Sequence, residues 1–106
     1  KYNPRFATLS AHDITAYTFG LPAAPYCADE DSVFDMSYMM KRYEELLGLC
    51  DILLIEGAGG LMVPISSDVF MIDLIEKFDA RALLVTPSRL GCINETLLSL
   101  EAMDNR

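Results

Sequence analysis

Two short apolar runs most constrain how this 106-residue chain can fold. DILLI at 51–55 and RALLVT at 81–86 have the length of strands, and segments with helical spacing of apolar residues flank each of them. Continuous apolar runs are typical of strands buried on both faces, as in a parallel sheet. The alternation of helix and strand therefore predicts an α/β fold, with a parallel sheet flanked by helices.

The helices around these runs are predicted from apolar residues at three- and four-residue spacing. The predicted helical segments are MSYMMKRYEELLG after the N-cap candidate Asp35, VFMIDLIEKF after the cap candidates at 66–68, and GCINETLLSLEAM from about Gly91. A short helix through about Glu30 is predicted after the prolines of PAAP. ITAYTF at 14–19 is predicted as a short strand or an extended segment.

Length and charge limit the class of protein. The chain is long enough for one modest domain at most, so residues 1–106 are predicted to form part of a single domain. Because it begins at Lys1 and ends inside a predicted helix, we expect a fragment of a protein about twice as long. Eight basic and 16 acidic residues give a formal net charge of −8 without a Lys/Arg cluster. This balance argues against nucleic acid or an anionic membrane as a partner.

Other sequence features point to a soluble, cytoplasmic protein. No apolar run approaches the roughly 18 residues of a membrane helix, and no signal-peptide pattern is present. The 3 cysteines lack a C-x-x-C pair, and there is a single histidine, His12. A disulfide framework and a zinc site are therefore not expected.

The first candidate site is the loop in DILLIEGAGGLMVP, residues 51–64. Glu56 follows a predicted strand, and a carboxylate is a hard oxygen ligand of the kind that Mg²⁺ prefers. The glycines beside it would let backbone N–H groups approach phosphate oxygens. The loop thus fits half of a nucleotide-phosphate site. A simple turn, with glycines that relieve crowding and a solvated Glu56, fits the composition equally well.

The second candidate site is PSRLGCINE, where a helix opens near Gly91. Unpaired N–H groups in a helix's first turn bind anions, Asn94 is a candidate side-chain donor, and Arg89 lies just before. Taken alone, an ordinary N-terminal turn with both polar side chains in water is the favoured interpretation. Both loops follow predicted parallel strands, so we expect them at one edge of the sheet, where ligands bind. The roles of His12 and Arg89 stay open.

These two loops also carry a family resemblance. IEGAGGLMVPIS, followed about thirty residues later by LLVTPSRLGCINETLLSLEAM, resembles the dethiobiotin synthetase family, and AYTFGLPAAPYCADE is similar to that family's segment before the middle helix. The resemblance covers the chain from about Ile14 to Met103. EGAGG alone is not specific, because related cobalamin-pathway amidases share an E-G-A-G segment, whereas its pairing with LGCIN at this spacing is specific.

The resemblance implies a P-loop NTPase-like α/β domain, of which this chain is a part, in a homodimer with each active site at the subunit interface. The implied enzyme is a ligase of biotin biosynthesis. With ATP and Mg²⁺ it joins 7,8-diaminononanoate and CO₂ and closes the cyclic urea of dethiobiotin, releasing ADP and phosphate.

The resemblance also implies roles for particular residues. Glu56 would be the Mg²⁺ ligand, and the residues along the nucleotide phosphates would be Gly57, Ala58 and Gly59. The helix start that holds the substrate's carboxylate, reached from the partner subunit, would consist of Leu90, Gly91, Cys92, Ile93 and Asn94. The residues beside the substrate's hydrocarbon chain would be Pro22, Ala24 and Val63.

The chain departs from the family's pattern in one large respect. The family's phosphate loop, G-x-x-x-x-G-K-[ST], has no counterpart in residues 1–55. Its lysine, a second substrate-side lysine, an upstream Mg²⁺-binding aspartate and the adenine-recognising part are also missing. We therefore expect no catalytic residue in this chain, and no turnover by the 106 residues alone.

Two other functions stay open at this point. One is the nucleotide domain of a cobyrinate-type amidase, in which the glycine loop runs into a serine and a polar stretch rather than GLMVP. The other is a non-catalytic nucleotide-binding module that has lost its phosphate loop.

Overall fold

The fold was obtained as a computed structural model that describes residues 4–106. The chain divides into two compact units, Lys1–Glu56 and Gly57–Arg106. The elements found in the described part are a 3-10 turn at Phe6–Thr8 and the helices α1 (Ala11–Ile14), α2 (Pro25–Ala28), α3 (Met36–Leu47), α4 (Asp73–Lys77) and α5 (Cys92–Asp104). None of these helices, within residues 4–106, is both long and apolar enough to cross a bilayer.

Helix α3 dominates the first unit and begins where the sequence predicts. Asp35 is its N-cap, and the Oδ1 atom of Asp35 accepts a hydrogen bond from the Ser37 N–H at 2.7 Å. This bond satisfies one of the four amides that a helix start leaves without an internal partner. The helix ends at Gly48, whose N–H donates to the Glu44 carbonyl at 3.1 Å.

A cluster of aromatic rings joins the segment before α2 to the start of α3. The ring of Tyr17 lies 5.5 Å from that of Phe34 and 5.6 Å from that of Tyr38, between centroids. Its hydroxyl donates to the Asp35 carbonyl at 2.9 Å and accepts from the Asp35 N–H at 2.8 Å. Residues 14–19 were predicted to form a short strand or an extended segment, and they form no strand. Ile14 is the last residue of α1, and Tyr17 is held by the contacts described above.

One helix of the second unit is shorter than predicted. VFMIDLIEKF was predicted to be helical throughout, but α4 covers only Asp73–Lys77. The residues before it reverse direction, because the Ile65 N–H donates to the Val69 carbonyl at 2.7 Å and the Met71 N–H donates to the Val63 carbonyl at 3.0 Å. The Val69 carbonyl is thus engaged outside the helix, whereas a helix that began at Val69 would use it to accept from the Asp73 N–H. Ser66, one of the predicted helix caps, instead accepts from the Val69 N–H at 3.2 Å within the turn.

This reversal supports the small core of the second unit. Ile65 and Ile72 are 2% and 4% exposed, and Phe78 just after α4 is 8% exposed. Ile72 is tied to the reversal by its own N–H, which donates to the Leu61 carbonyl at 2.9 Å. The buried residues of this unit therefore lie in the reversal and at the two ends of α4.

The predicted parallel sheet is not confirmed by the described residues. No strand is found within residues 4–106, and the isolated bridge between Pro64 and Phe70 is antiparallel. Apolar residues of the two predicted strands are largely exposed: Ile52 80%, Leu54 89%, Leu83 85% and Val85 81%. A strand exists only when neighbouring chain accepts its backbone hydrogen bonds, and these segments find no such neighbour here. The single domain predicted over 1–106 stays a prediction, and residues 1–3 lie outside the described part.

Candidate functional site

The glycine-rich loop begins with an exposed carboxylate. Glu56 follows the apolar segment 51–55 and is open to solvent. Within residues 4–106, no group of three or more His, Cys, Asp or Glu side chains is arranged to hold a metal ion. Mg²⁺, however, is commonly held by one or two carboxylates together with waters and substrate phosphates. Glu56 thus fits a single-carboxylate ligand and does not by itself make a complete metal site.

The glycines of this loop differ in whether the structure has room for a side chain. Gly59 has a φ of +79°, and a Cβ atom there would lie 2.9 Å from Cγ2 of Val63. Both the backbone and the packing therefore exclude a side chain at this position. At Gly57 and Gly60, by contrast, a Cβ would meet no atom of the described chain within 4 Å. Packing within residues 4–106 therefore does not explain these two glycines.

Val63 is held beside Gly59 by its backbone. The Val63 N–H donates to the Gly60 carbonyl at 3.1 Å, and the Val63 carbonyl accepts from the Met71 N–H at 3.0 Å. The structure therefore brings together two predicted site residues, Gly59 and Val63, that belong to different predicted roles.

The second loop ends in a helix start of defined geometry. Gly91 caps α5 in the left-handed region, with a φ of +92°. The Cys92 N–H donates to the Arg89 carbonyl at 3.1 Å, and the Glu95 N–H donates to the Gly91 carbonyl at 3.1 Å. The amides between them, of Ile93 and Asn94, donate no backbone hydrogen bond to any carbonyl in the part of the chain described. Two adjacent N–H groups are thus available at the positive end of a 13-residue helix.

The side chains of this helix start are mostly in solvent. Leu90 is 99% exposed and Ile93 is 74% exposed. Asn94 is exposed as well, and Cys92 is half-buried. The predicted carboxylate site is therefore accessible, and apolar surface lies directly beside the available amides.

Sequence reasoning missed one charged contact at this site. Nη2 of Arg89 donates to both carboxylate oxygens of Glu95, at 2.9 and 3.0 Å. A separation of six residues matches neither the three- nor the four-residue spacing of helical side-chain pairs, so the helical pattern gives no signal for it. The pair joins the loop before the left-handed residue Gly91 to the first turn of α5.

The predicted residues at 22–24 belong to the first unit. Pro22 is exposed, and Ala24 is half-buried and caps α2, with its carbonyl accepting from the Cys27 N–H at 2.8 Å. A neighbouring cavity of about 490 Å³ is lined partly by Leu21 and Val33, but neither Pro22 nor Ala24 lines it. A role of Pro22 and Ala24 beside a hydrocarbon chain stays a prediction.

Comparison with models of protein families identifies the family of this chain. The model of a family described as an AAA domain matches residues 6–106. The chain belongs to this AAA domain family. The domain is P-loop NTPase-like, which agrees with the coarse fold class predicted from the sequence.

Several relatives of this chain share a name. A Sulfurovum protein (strain NBC37-1) named ATP-dependent dethiobiotin synthetase BioD is 58% identical over 106 residues, which are 100% of this chain and 50% of the relative. Proteins of the same name from Wolinella succinogenes and Aquifex aeolicus are 44% and 38% identical, over 92% and 85% of this chain. The predicted resemblance to dethiobiotin synthetases is confirmed. The chain spans about half the length of the curated relatives it matches.

Proposed function

We propose that this AAA domain chain is part of an ATP-dependent dethiobiotin synthetase that uses Mg²⁺. The observation that carries the proposal is the 58% identity to the Sulfurovum protein of that name across all 106 residues, so that both candidate loops lie inside the aligned region. The enzyme would join 7,8-diaminononanoate with CO₂ and close the ring of dethiobiotin, as a ligase of biotin biosynthesis. The lysines of such a site would lie outside this chain.

The glycine-rich loop would serve the nucleotide. When bound, MgATP would supply the phosphoryl group for the ligase reaction, and this chain's part would be to hold and orient it. Glu56 would bind Mg²⁺, and backbone N–H groups at 57–59 would lie along the phosphates. The open space at Gly57 supports this role, because a phosphate oxygen can approach backbone amides only where no side chain intervenes. Fixing charged reactants in one frame accounts for much of catalysis in reactions of this kind.

The start of α5 would hold the carboxylate of 7,8-diaminononanoate. Two available amides at a helix N-terminus match the two oxygens of a carboxylate. The exposed side chains of Leu90 and Ile93 lie beside these amides, and they would contact the start of the hydrocarbon chain. Pro22, Ala24 and Val63 would line the rest of it, and Gly91 and Cys92 complete the helix start.

The remaining finer predictions belong to this proposal. We propose that the segments 51–55 and 81–86 are strands of a parallel sheet in the whole domain, which would cover the exposed Ile52, Leu54 and Leu83. Apolar side chains at this exposure are ordinarily covered in a folded protein when they occur in continuous runs. We also propose a homodimer with the active site at the subunit interface, in the cytoplasm.

The test uses the full-length protein, with 7,8-diaminononanoate, bicarbonate and MgATP as reactants and dethiobiotin as the measured product. Glu56→Gln removes the charge that would bind Mg²⁺, and Glu44→Gln, at an exposed position of α3, is the matched control. We expect Glu56→Gln to lower turnover by at least about tenfold, the smaller end of the loss seen when groups supporting a metal site are replaced. The Mg²⁺ concentration for half-maximal rate should rise.

Three results would change the proposal. Full-length protein that forms no dethiobiotin would overturn the function and leave an amidase domain or a non-catalytic nucleotide-binding module. Unchanged turnover and Mg²⁺ dependence in Glu56→Gln would remove Glu56 from the metal site. Dethiobiotin formation by the 106-residue chain alone would contradict its dependence on residues elsewhere.

A further inference from the structure

An ion pair spans the start of α5. Nη2 of Arg89 donates to Oε1 of Glu95 at 2.9 Å and to Oε2 at 3.0 Å. Glu95 is the acidic residue of the helix's first turn, and its Oε1 would lie 3.9 Å from a Cβ built on Gly91. The carboxylate of Glu95 is therefore folded back toward the cap residue Gly91, at the same helix end as the available amides of Ile93 and Asn94.

This placement creates an electrostatic conflict that Arg89 resolves. A carboxylate in the first turn interacts favourably with the helix dipole, but it repels a second anion that approaches the same amides. The guanidinium of Arg89 offsets the charge of Glu95, and its Nη2 alone donates to both carboxylate oxygens. Since the Arg89 carbonyl also accepts from the Cys92 N–H at 3.1 Å, the same residue closes the turn that leads into the helix.

We propose that Arg89 is a positioning residue, which holds and neutralises Glu95 so that the amides of Ile93 and Asn94 can donate hydrogen bonds to the substrate's carboxylate. The inference rests on the proposed function, and it gives a role to two residues that the nucleotide chemistry does not use. In this arrangement Arg89 acts through Glu95. An Arg89 that contacts the substrate directly is a separate arrangement, and the two arrangements differ in what happens when both charges are removed.

The experiment is a double-mutant cycle in the full-length enzyme, with KM for 7,8-diaminononanoate and kcat measured for each variant. Arg89→Ala leaves the charge of Glu95 unopposed, so KM should rise by about three- to fivefold, the range that a contact between exposed charges supports. The side chains of Arg89 and Glu95 are 62% and 46% exposed, so the effect should shrink at high salt. The value of kcat should stay within about twofold, because the reacting amines lie at the other end of the substrate.

The decisive variant is Arg89→Ala combined with Glu95→Gln. We expect KM to return to within about twofold of the wild-type value, because the repelling charge has gone with its partner. Glu95→Gln alone should leave KM unchanged or lower. Lys41→Ala, which removes an exposed positive charge of α3, controls for net charge, and thermal unfolding of every variant reports any loss of fold.

The possible outcomes separate this inference from the proposed function. A double variant as weak as Arg89→Ala would overturn the positioning role and indicate direct contact between Arg89 and substrate. A fall in kcat and thermal stability without a change in KM would also overturn it, because the pair would then be only structural. Wild-type enzyme that forms no dethiobiotin would overturn the proposed function and this inference together.

Discussion

Gly59 and Val63 lie so close that a Cβ atom on Gly59 would be 2.9 Å from Cγ2 of Val63. Val63 cannot retreat freely, because its N–H and its carbonyl are both hydrogen-bonded, to Gly60 and Met71. The conformation of the glycine-rich loop is therefore coupled to the reversal at 61–72, which carries the buried Ile65. This coupling explains how a loop of small residues keeps a defined shape.

Replacing Gly59 with alanine should destabilise the full-length protein. A non-glycine residue in the left-handed region is strained by roughly 1–3 kcal/mol, and here the methyl group also displaces Val63. The free energy of unfolding, measured by urea denaturation, should fall by about that amount. Gly60→Ala is the matched control, because a Cβ at Gly60 meets no atom of the described chain within 4 Å. Equal stabilities of the two variants would contradict this packing.

Gly57→Ala, unlike Gly59→Ala, should leave the free energy of unfolding unchanged and should weaken nucleotide binding. No atom of the described chain lies within 4 Å of a Cβ at Gly57, so the fold tolerates the methyl group. In the proposed site the methyl would keep phosphate oxygens from the backbone amides, and the Kd for MgATP should rise by about tenfold, or about 1.4 kcal/mol. Titration calorimetry measures this Kd.

Gly20→Ala is the control for nucleotide binding, because Gly20 also has open space around it and lies outside the candidate site. Unchanged nucleotide affinity in Gly57→Ala would place the phosphates elsewhere. Reduced affinity in both variants would indicate a general effect of losing a glycine.

Asp35→Ala should weaken α3. Oδ1 of Asp35 accepts from the Ser37 N–H at 2.7 Å, and loss of such a cap destabilises a protein by about 1 kcal/mol. Ser37→Ala keeps the backbone N–H that makes this bond, so its free energy of unfolding should change by less than about 0.5 kcal/mol. A larger loss in Ser37→Ala than in Asp35→Ala would show that the cap is not what holds the helix start.

The helix starts that were predicted correctly are those that depend on residues within the helix or directly before it. The bounds of α3 follow from Asp35 and from apolar spacing within the helix, and α5 begins directly after Gly91, as predicted. The start of α4 was predicted wrongly because it is decided by residues several positions away. The carbonyls of Val63 and Leu61 accept from the Met71 and Ile72 amides, and helical periodicity carries no information about such bonds.

The two predicted strands could not be tested by local sequence alone. DILLI and RALLVT have strand composition, but a strand depends on a neighbour that forms its ladder, and none is found within residues 4–106. At the candidate site, residue types alone left a simple turn as open as a ligand site at Glu56 and favoured an ordinary turn at Gly91, and the roles that the resemblance gives to both loops stay predictions. The Arg89–Glu95 pair could not be predicted from the sequence, because it spans the left-handed turn at Gly91 and residue spacing does not indicate such a turn.

The last prediction concerns acid stability and Asp73. Burial raises the pKa of Asp73, but hydrogen bonds from the Arg106 side chain and from the Phe70 N–H outweigh it and lower the pKa below its ordinary value of 3.8. The Phe70 N–H donates to Oδ2 at 2.7 Å, which ties the reversal to the start of α4. Because the folded state binds this proton less tightly than the unfolded state, Asp73 stabilises the fold fully above pH 3.8. That contribution disappears as the pH falls through the lower folded pKa.

Asp73→Asn should therefore lower the free energy of unfolding by a constant amount between about pH 5 and 7, and the deficit relative to wild type should shrink as the pH falls below the ordinary aspartate value. Urea denaturation of the full-length protein at a series of pH values measures this difference. Asp68→Asn, at an exposed position in the same unit, controls for the loss of one negative charge. A deficit in Asp73→Asn that persists undiminished into acid would mean that the shape of the side chain, rather than its ionised form, joins the reversal to α4.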